Sequence, residues 1–403
     1  MVNRRVVIVD CVHDYPNKGE QDAKAIFNAK DRIWQSRMDE LSSLYDQSIE
    51  YAGSFDGLFY DSVTEKFPVE HVPAEKSRFL LSSERMTLSL FQSLMKRNTI
   101  GAKSEILLST GTPQTDSLSK SALFSVKPSD MEHAITLLDP LSYNKYALMN
   151  RPGAAIEMIS EASTSGVASL YSAYRKIKNG DYDVAISGGA SAITFPVPFD
   201  LSQFGSGPDR WIEPFEEGAS GHYFSEGGAA FLLKERQQAL DDGDVILAEV
   251  MDITSGTMGN AVVNRNSLKK LITKSLQQAG VSDEADIFLE LYGRGNEIDD
   301  TAEISCLRNL LKKYVNLQGG FLKKDIQYVV GYYGLMGLCG LLEAKQEQRP
   351  MMGSEIQQPN KFIGTIENGQ WAKQYHEHQL LSIVMYNMYG NSYNLLVKVG
   401  DAR

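Results

Sequence analysis

The feature that most constrains this sequence is a series of short, continuous apolar runs that are bounded by glycine or serine and separated by stretches with helical periodicity. Runs of this kind begin at Val6, Ile106, Val184 and Ile287. They are typical of strands that are buried on both faces, because a strand with one solvent face alternates apolar and polar residues instead. Strands alternating with helices are the signature of an α/β fold. The sequence therefore predicts an α/β protein.

The clearest helical pattern covers Thr164–Lys178. Its apolar residues fall at i, i+3, i+4, i+7 and i+10, and these residues are Val167, Leu170, Tyr171, Tyr174 and Ile177. Basic residues gather near the C-terminal end, where the helix dipole favours positive charge. The pattern predicts an amphipathic helix with a single apolar face.

Charge and cysteine content exclude several classes of function. The 403 residues carry a formal net charge of −11, which disfavours nucleic acid and anionic membranes as partners, and also an acidic protein. No apolar run approaches the ~20 residues that a membrane span needs, so we expect a cytoplasmic protein. The three cysteines are scattered, so neither a disulfide framework nor a zinc site is expected, and the sequence predicts no metal and no cofactor.

Five blocks of the sequence, in order, resemble the β-ketoacyl synthase family. The first, ISEASTSGVASLYSAYRKIKNGDYDVAISGGASA at Ile159–Ala192, is similar to the family's nucleophile elbow, in which a strand and a tight turn precede a helix. The others resemble the family's PFD block, its HGTGT block, the helix after its second histidine and its C-terminal GFGG block. They lie at Pro214–Leu233, Glu290–Glu303, Gly337–Ala344 and Tyr389–Asn394.

This resemblance implies the thiolase-like fold, with two related α/β halves in a layered α-β-α-β-α arrangement. The charged turn Asp241–Asp244 is the best boundary, so we expect an N-terminal half at 1–243 and a C-terminal half at 244–403. Members of the family are dimers. We expect the strand after the nucleophile helix, formed by Val184, Ala185, Ile186 and Ser187, to pair across the twofold axis.

The reactive residues of the family are absent from the matching positions. Decarboxylative condensation needs a thiolate at a helix N-terminus and donors that stabilise an enolate, and the family uses a cysteine, two histidines and a supporting lysine. Here the nucleophile position falls on Ser163 and the first histidine on Tyr292, while the second histidine falls on Gly334 or Leu335 and the lysine near Val329. None of the six histidines lies at these matching positions. We therefore expect no catalytic residues.

A working serine nucleophile at Ser163 is the alternative. A hydroxyl needs a general base within hydrogen-bond reach, and Glu161 is the candidate that the motif offers. The simpler interpretation makes Ser163 the N-cap of the helix that follows. Asp300 and Glu303 are expected to fix the loop around Tyr292 by hydrogen bonds rather than to act as acids or bases.

The resemblance favours a chain-length factor, the ketosynthase β subunit of type II polyketide synthases. Such a subunit forms a heterodimer with a catalytic ketosynthase and shapes the acyl tunnel, while acyl carrier protein reaches the complex through the catalytic subunit. The tunnel gate is expected in the segment after the strand at Ile106, at Thr112, Thr115, Leu118, Ala122 and Leu123. Two alternatives remain open, a serine-dependent acyltransferase and a purely structural ketosynthase partner.

Overall fold

The computed structural model describes residues 4–14, 67–77, 80–101, 104–113, 143–148, 154–192, 214–219, 224–225, 227–259, 262–323, 328–349 and 380–400, with 359, 361, 363, 366, 370–372 and 375. The strands are β1 Val6–Asp14, β2 Ile106–Gly111, β3 Ala154–Ile159, β4 Val184–Ser191, β5 Phe224–Ser225, β6 Gly227–Glu235, β7 Ala248–Thr257, β8 Ile287–Glu290, β9 Leu317–Gly320, β10 Tyr328–Val329, β11 Leu380–Tyr386 and β12 Asn391–Val399. The α-helices are α1 Ala74–Ser77, α2 Ser82–Arg97, α3 Ser165–Asn179, α4 Arg236–Asp241, α5 Arg265–Gln278, α6 Glu297–Leu311 and α7 Tyr333–Gln346.

Ten strands of the described residues form one mixed sheet in the order β3-β2-β4-β6-β1-β7-β12-β11-β8-β9. The order contains two groups of five strands, β1 to β4 with β6, and β7 to β9 with β11 and β12. When the five strands of a group are numbered along the chain and read from the outer edge of the sheet inward, both groups have the order third, second, fourth, fifth, first. Within each group, the fifth strand is antiparallel to both of its neighbours and the other adjacent strands are parallel. The α/β prediction is confirmed.

The two groups join where β1 pairs with β7 in antiparallel register, with Val6 opposite Val250. Between the groups, α4 leads into a turn in which Gly243 adopts a left-handed conformation at φ 75°. The division of the chain at 243 and 244 stays a prediction, and the equal strand orders on its two sides support it.

Helices cover both faces of the first group, as the continuous apolar runs predict. Along β1, Val7 and Val9 face the core that α2 contributes to, whereas Val6 and Ile8 face the core that α3 contributes to. The predicted apolar face of α3 is buried, apart from the half-buried Tyr171. None of the helices in the described residues is long and apolar enough to span a membrane.

The expectation that Val184, Ala185, Ile186 and Ser187 pair across a dimer axis is wrong. These residues form the first half of β4, which is parallel to β2 on one side and antiparallel to β6 on the other. Both hydrogen-bonding edges of β4 are therefore used within the chain, and no edge remains for a second subunit. Of the two outer strands, β9 is bridged at Gly319 by Trp371, whereas β3 has no strand on its outer side among the described residues.

A buried lysine holds the turn between the two groups. Lys234 on β6 is fully buried, and its Nζ lies 2.6 Å from a carboxylate oxygen of Asp242 and 2.6 Å from one of Asp244. We expect Lys234→Met to lower the free energy of unfolding by about 2 kcal/mol, because two carboxylates lose their counter-charge but are close enough to solvent to recover part of their hydration. Urea denaturation measures this change.

The control for this prediction is Lys398→Met, which removes an exposed lysine from β12 and should change stability by less than ~0.5 kcal/mol. Adding Asp242→Asn and Asp244→Asn to Lys234→Met should restore part of the loss, because no unpaired charge then remains. Wild-type stability of Lys234→Met would contradict this account of the turn.

Candidate functional site

The turn that contains Ser163 connects β3 to α3. Residues Ala162–Thr164 form a 3₁₀ turn, and Ala162 takes φ 49°, a left-handed conformation that is uncommon for alanine. Ser163 is half-buried. The expectation that Ser163 caps the helix is wrong, because α3 begins at Ser165 and its N-cap is Thr164. The strand, turn and helix of a nucleophile elbow are present.

Ser165 holds this turn against the end of β2. Its hydroxyl accepts a hydrogen bond from the Glu161 N–H at 2.8 Å and lies 2.9 Å from the Thr112 carbonyl, to which it donates. Thr112 itself donates its N–H to the Ile159 carbonyl at 2.8 Å. Thr112 is thus beside the Ser163 turn, whereas Thr115, Leu118, Ala122 and Leu123 lie outside the described residues.

The hairpin between β11 and β12 clamps the turn from the other side. Asn387 donates its amide to the Glu161 carbonyl at 2.8 Å and to the Thr164 hydroxyl at 2.9 Å. The Glu161 carboxylate accepts hydrogen bonds from Tyr393 at 2.9 Å and Asn391 at 3.2 Å. Glu161 is thus engaged by the hairpin, and no hydrogen bond joins it to the Ser163 hydroxyl in the described part of the chain.

Tyr332 fills a space between β2, β4 and α3. Its hydroxyl donates to the Gly111 carbonyl, and the Gly166 N–H donates to the Gly331 carbonyl at 3.2 Å. A Cβ at Gly166 would lie 2.9 Å from the Tyr332 ring, and one at Gly189 would lie 2.3 Å from its hydroxyl oxygen. Gly166 and Gly189 therefore form a cradle that the tyrosine occupies, and burial raises the pKa of Tyr332 well above its ordinary value.

The residues facing the Ser163 turn differ from those expected at the second-histidine position. Gly334 lies in the first turn of α7, where a Cβ would meet Met385 of β11 at 2.7 Å, and Leu335 is buried in the core. Gly331 and Tyr332, just upstream of α7, both contact Gly166 in the first turn of α3, and a Cβ at Gly331 would lie 3.4 Å from the Ala162 carbonyl oxygen. The sequence signal that could have identified these two residues is the glycine before the helix, Gly331, which adopts a left-handed conformation at φ 84°.

Tyr292 lies in a buried cluster of aromatic rings. Its hydroxyl is 3.0 Å from the Tyr328 hydroxyl, and its ring centroid is 4.8 Å from that of Tyr386 and 5.9 Å from that of Tyr333. Burial, reinforced by Tyr328, raises the pKa of Tyr292 well above its ordinary value. A hydroxyl in this setting stays protonated and is already paired.

Asp300 and Glu303 hold the loop around Tyr292, as the sequence predicts. Glu303 accepts hydrogen bonds from the N–H groups of Tyr292 at 2.7 Å and Gly293 at 3.2 Å, and Asp300 accepts one from Gly295 at 3.2 Å. The Tyr386 hydroxyl donates to Glu303 at 2.5 Å. Both carboxyls are fully buried on α6, and burial raises their pKa values.

The residue expected at the family's lysine position, Val329, carries no charge. Val329 is a buried residue of β10 that pairs with Ser225 of β5. The lysine that the structure places beside the Tyr292 strand is Lys323, which is buried after β9. Its Nζ bonds the Glu290 carboxylate and donates to the Leu291 carbonyl at 2.8 Å. Lys323 was not predicted from the sequence, because it lies six positions before Val329 and outside the blocks that resemble the family.

Comparison with known proteins supports the family resemblance over part of the chain. Residues 147–239, which include β3, the Ser163 turn, α3, β4 and β6, match the family model of the β-ketoacyl synthase N-terminal domain. The non-reducing polyketide synthase mapC of Penicillium brevicompactum is 24% identical over 264 residues, which are 61% of this chain and 11% of that protein. The non-reducing polyketide synthase pkiA of Emericella nidulans is 30% identical over 190 residues, 45% of this chain and 8% of that protein. The match spans only a small share of these long proteins.

Solved structures match nearly the whole chain. The ketosynthase from module 6 of the bacillaene synthase from Bacillus subtilis 168 has a TM-score of 0.71 at 16% identity, with 98% of this chain and 72% of that chain covered. The ishigamide ketosynthase/chain length factor has a TM-score of 0.69 at 16% identity, with 99% of this chain and 100% of that chain covered. The chain therefore has the thiolase-like α/β fold of the ketosynthases.

Glu303 should make stability depend on pH. Its folded-state pKa is raised from 4.5 to about 7, first by burial, so the folded chain keeps a proton that the unfolded chain releases. The free energy of unfolding should fall as pH rises from 4.5 to about 7, by up to ~3 kcal/mol, and Asp300 adds to it in the same direction. Glu303→Gln should flatten this decline in urea denaturation at pH 5, 6, 7 and 8.

Tyr386→Phe provides a second, directional readout. The tyrosine hydroxyl favours the ionised form of Glu303, so its loss should raise the pKa further and extend the decline in stability above pH 7. Tyr389→Phe, at an exposed position of the same hairpin, is the matched control and should leave the profile unchanged. Identical pH profiles for wild type and Glu303→Gln would contradict the assignment.

Proposed function

We propose that this chain is a non-catalytic subunit, similar to a chain-length factor, that pairs with an active ketosynthase of a polyketide synthase and shapes its acyl tunnel. One observation carries the proposal: two buried tyrosines have hydroxyls that are already paired. Tyr332 packs against Gly166 in the first turn of the helix that follows Ser163, and Tyr292 lies at the first-histidine position. The fold that positions a ketosynthase nucleophile is kept, while the space for its donors is filled.

The chemistry of condensation explains why this arrangement is inactive. The enolate formed as carbon dioxide leaves needs hydrogen-bond donors aimed at its oxygen. The Tyr332 hydroxyl donates to the Gly111 carbonyl, and the Tyr292 hydroxyl pairs with Tyr328. A serine in place of the thiol adds a second deficit, because its hydroxyl needs a base and Glu161 is held by Tyr393 and Asn391.

Strand β3 supports pairing with a second chain. All six residues of Ala154–Ile159 are half-buried, five of them are apolar, and the outer edge is open among the described residues. An open edge of this kind is a template for pairing with another strand. We infer that β3, rather than β4, forms the heterodimer contact with the ketosynthase, and that acyl carrier protein reaches the complex through that partner.

The first test measures the chain alone. We expect no decarboxylation of malonyl-carrier protein above background, because the hydroxyls of Tyr292 and Tyr332 are already paired and are not available to stabilise the enolate. Ser163→Cys should react with iodoacetamide, because position 163 is partly exposed and lies near a helix N-terminus, which favours the thiolate. The same variant should form no condensation product, as measured by mass spectrometry.

A complete ketosynthase assayed in parallel is the positive control, and Cys306, which is fully buried, is the internal control for alkylation. Decarboxylation by the wild-type chain, or condensation by Ser163→Cys alone, would overturn the non-catalytic assignment. An acyl adduct on wild-type Ser163 that Ser163→Ala abolishes would favour the serine acyltransferase.

The second test concerns the tunnel gate expected at Thr112, Thr115, Leu118, Ala122 and Leu123. Leu118→Ala and Leu123→Ala should lengthen the product by one extension unit, because a packed interior has no spare volume for a longer chain. Ala122→Trp should shorten it. Mass spectrometry of the product, made with the cognate ketosynthase, measures the length.

Size-exclusion chromatography must show that each complex is intact, because large-to-small changes at buried sites cost ~2–5 kcal/mol. Ile298→Ala, at a position 66% exposed on α6, is the control and should give the wild-type length. Wild-type length from intact complexes of all three gate variants would exclude this segment as the gate and favour a purely structural partner.

A further inference from the structure

Helix α5 concentrates positive charge on an acidic chain. Its basic residues Arg265, Lys269, Lys270 and Lys274 are all exposed. Residues 253–282 contain none of the 51 acidic residues of the chain, although these outnumber the 40 basic ones. A chain with a net charge of −11 therefore has a local surface of positive charge on α5.

The basic residues of α5 form two same-sign pairs. Arg265 and Lys269 lie four residues apart, as do Lys270 and Lys274, and each such pair of like charges costs a helix ~0.2–0.5 kcal/mol. Among the residues that the structure describes, no ion pair involves any of the four. The helix is held instead by its opposite face, where Leu268, Leu271, Ile272 and Leu276 are buried.

The surface between the two pairs is polar and carries no apolar anchor. Asn266 and Gln277 are exposed there, and no aromatic residue occurs in α5. A helix that binds membranes inserts an apolar face, and here that face is buried in the core. Surfaces that bind single-stranded nucleic acid add aromatic stacking platforms, which α5 lacks. These features favour carboxylates of another protein over phosphates of a membrane or nucleic acid.

We propose that the exposed face of α5 docks an acidic protein surface that presents carboxylates along a helix. Two rows of cations spaced by one helical turn match carboxylates with the same spacing, and exposed ion pairs of this kind give weak, fast and salt-sensitive association. This site is separate from the Ser163 turn and does not rest on the function proposed above.

A fluorescein-labelled, alanine-based helical peptide with glutamates at i, i+4, i+7 and i+11 is the probe. Fluorescence anisotropy in 50 mM NaCl should show binding that 300 mM NaCl abolishes, and a peptide of equal composition with its glutamates spread around the helix should bind several-fold more weakly. Lys270→Glu should weaken binding about tenfold. Lys398→Glu makes the same charge change on exposed β12 and should weaken binding less than about twofold.

The thermal stability of Lys270→Glu distinguishes a docking role of Lys270 from a structural one. In Lys270→Glu the new carboxylate stands four residues before Lys274, the favourable order for an ion pair, so Tm should not fall while binding does. Equal weakening by Lys398→Glu, equal binding of both peptides, or no binding would overturn the proposal. Tighter binding of a 20-base-pair duplex or of phosphatidylserine vesicles, lost in Lys270→Glu, would reassign the surface to phosphates.

Discussion

Two adjacent residues at the end of β11 connect the two parts of the candidate site. Tyr386 donates to the Glu303 carboxylate, which holds the loop around Tyr292. Asn387 donates to the carbonyl of Glu161 and the hydroxyl of Thr164, which hold the turn around Ser163. That loop and that turn follow strands of different five-stranded groups. Their relation in space therefore depends on a pair of side chains that point in opposite directions from one strand.

Buried carboxyls and tyrosines hold the loop around Tyr292. Glu303 and Asp300 are buried, and each is stabilised by N–H groups of the backbone that they hold in place. Burying a carboxyl without such partners costs several kcal/mol, so these residues are tied to the fold itself. Tyr292 and Tyr332 add packed volume and paired hydroxyls. The loop around Tyr292 and the turn around Ser163 are thus held in position by hydrogen bonds that involve neither a cysteine nor a histidine.

Local patterns predicted the site in part. The strand before Ser163 and the amphipathic helix after it could be read from residue spacing, and the resemblance to the family's HGTGT block indicated the loop-fixing role of Glu303. Gly331, Tyr332 and Lys323 could not, because the sequence between β9 and α7 has no apolar periodicity to set its register. Strand β9 was not predicted either, because it has no continuous apolar run. Its glycines look like a loop, yet a Cβ at Gly319 would lie 2.3 Å from Leu307 of α6, so close packing requires them.

The sequence by itself determined the fold class, the Ser163 turn and the absence of histidines from the two positions where the family has its catalytic pair, because these depend on residue identity and on spacing within a few turns of helix or strand. Only the tertiary structure decided which strand lies at the edge of the sheet. Val184–Ser191 and Ala154–Ile159 are both short strands beside α3 along the chain. Which one keeps an open edge depends on the placement of β6, whose residues are more than 35 positions further along, and strand order of this kind is a non-local pairing that no local pattern encodes.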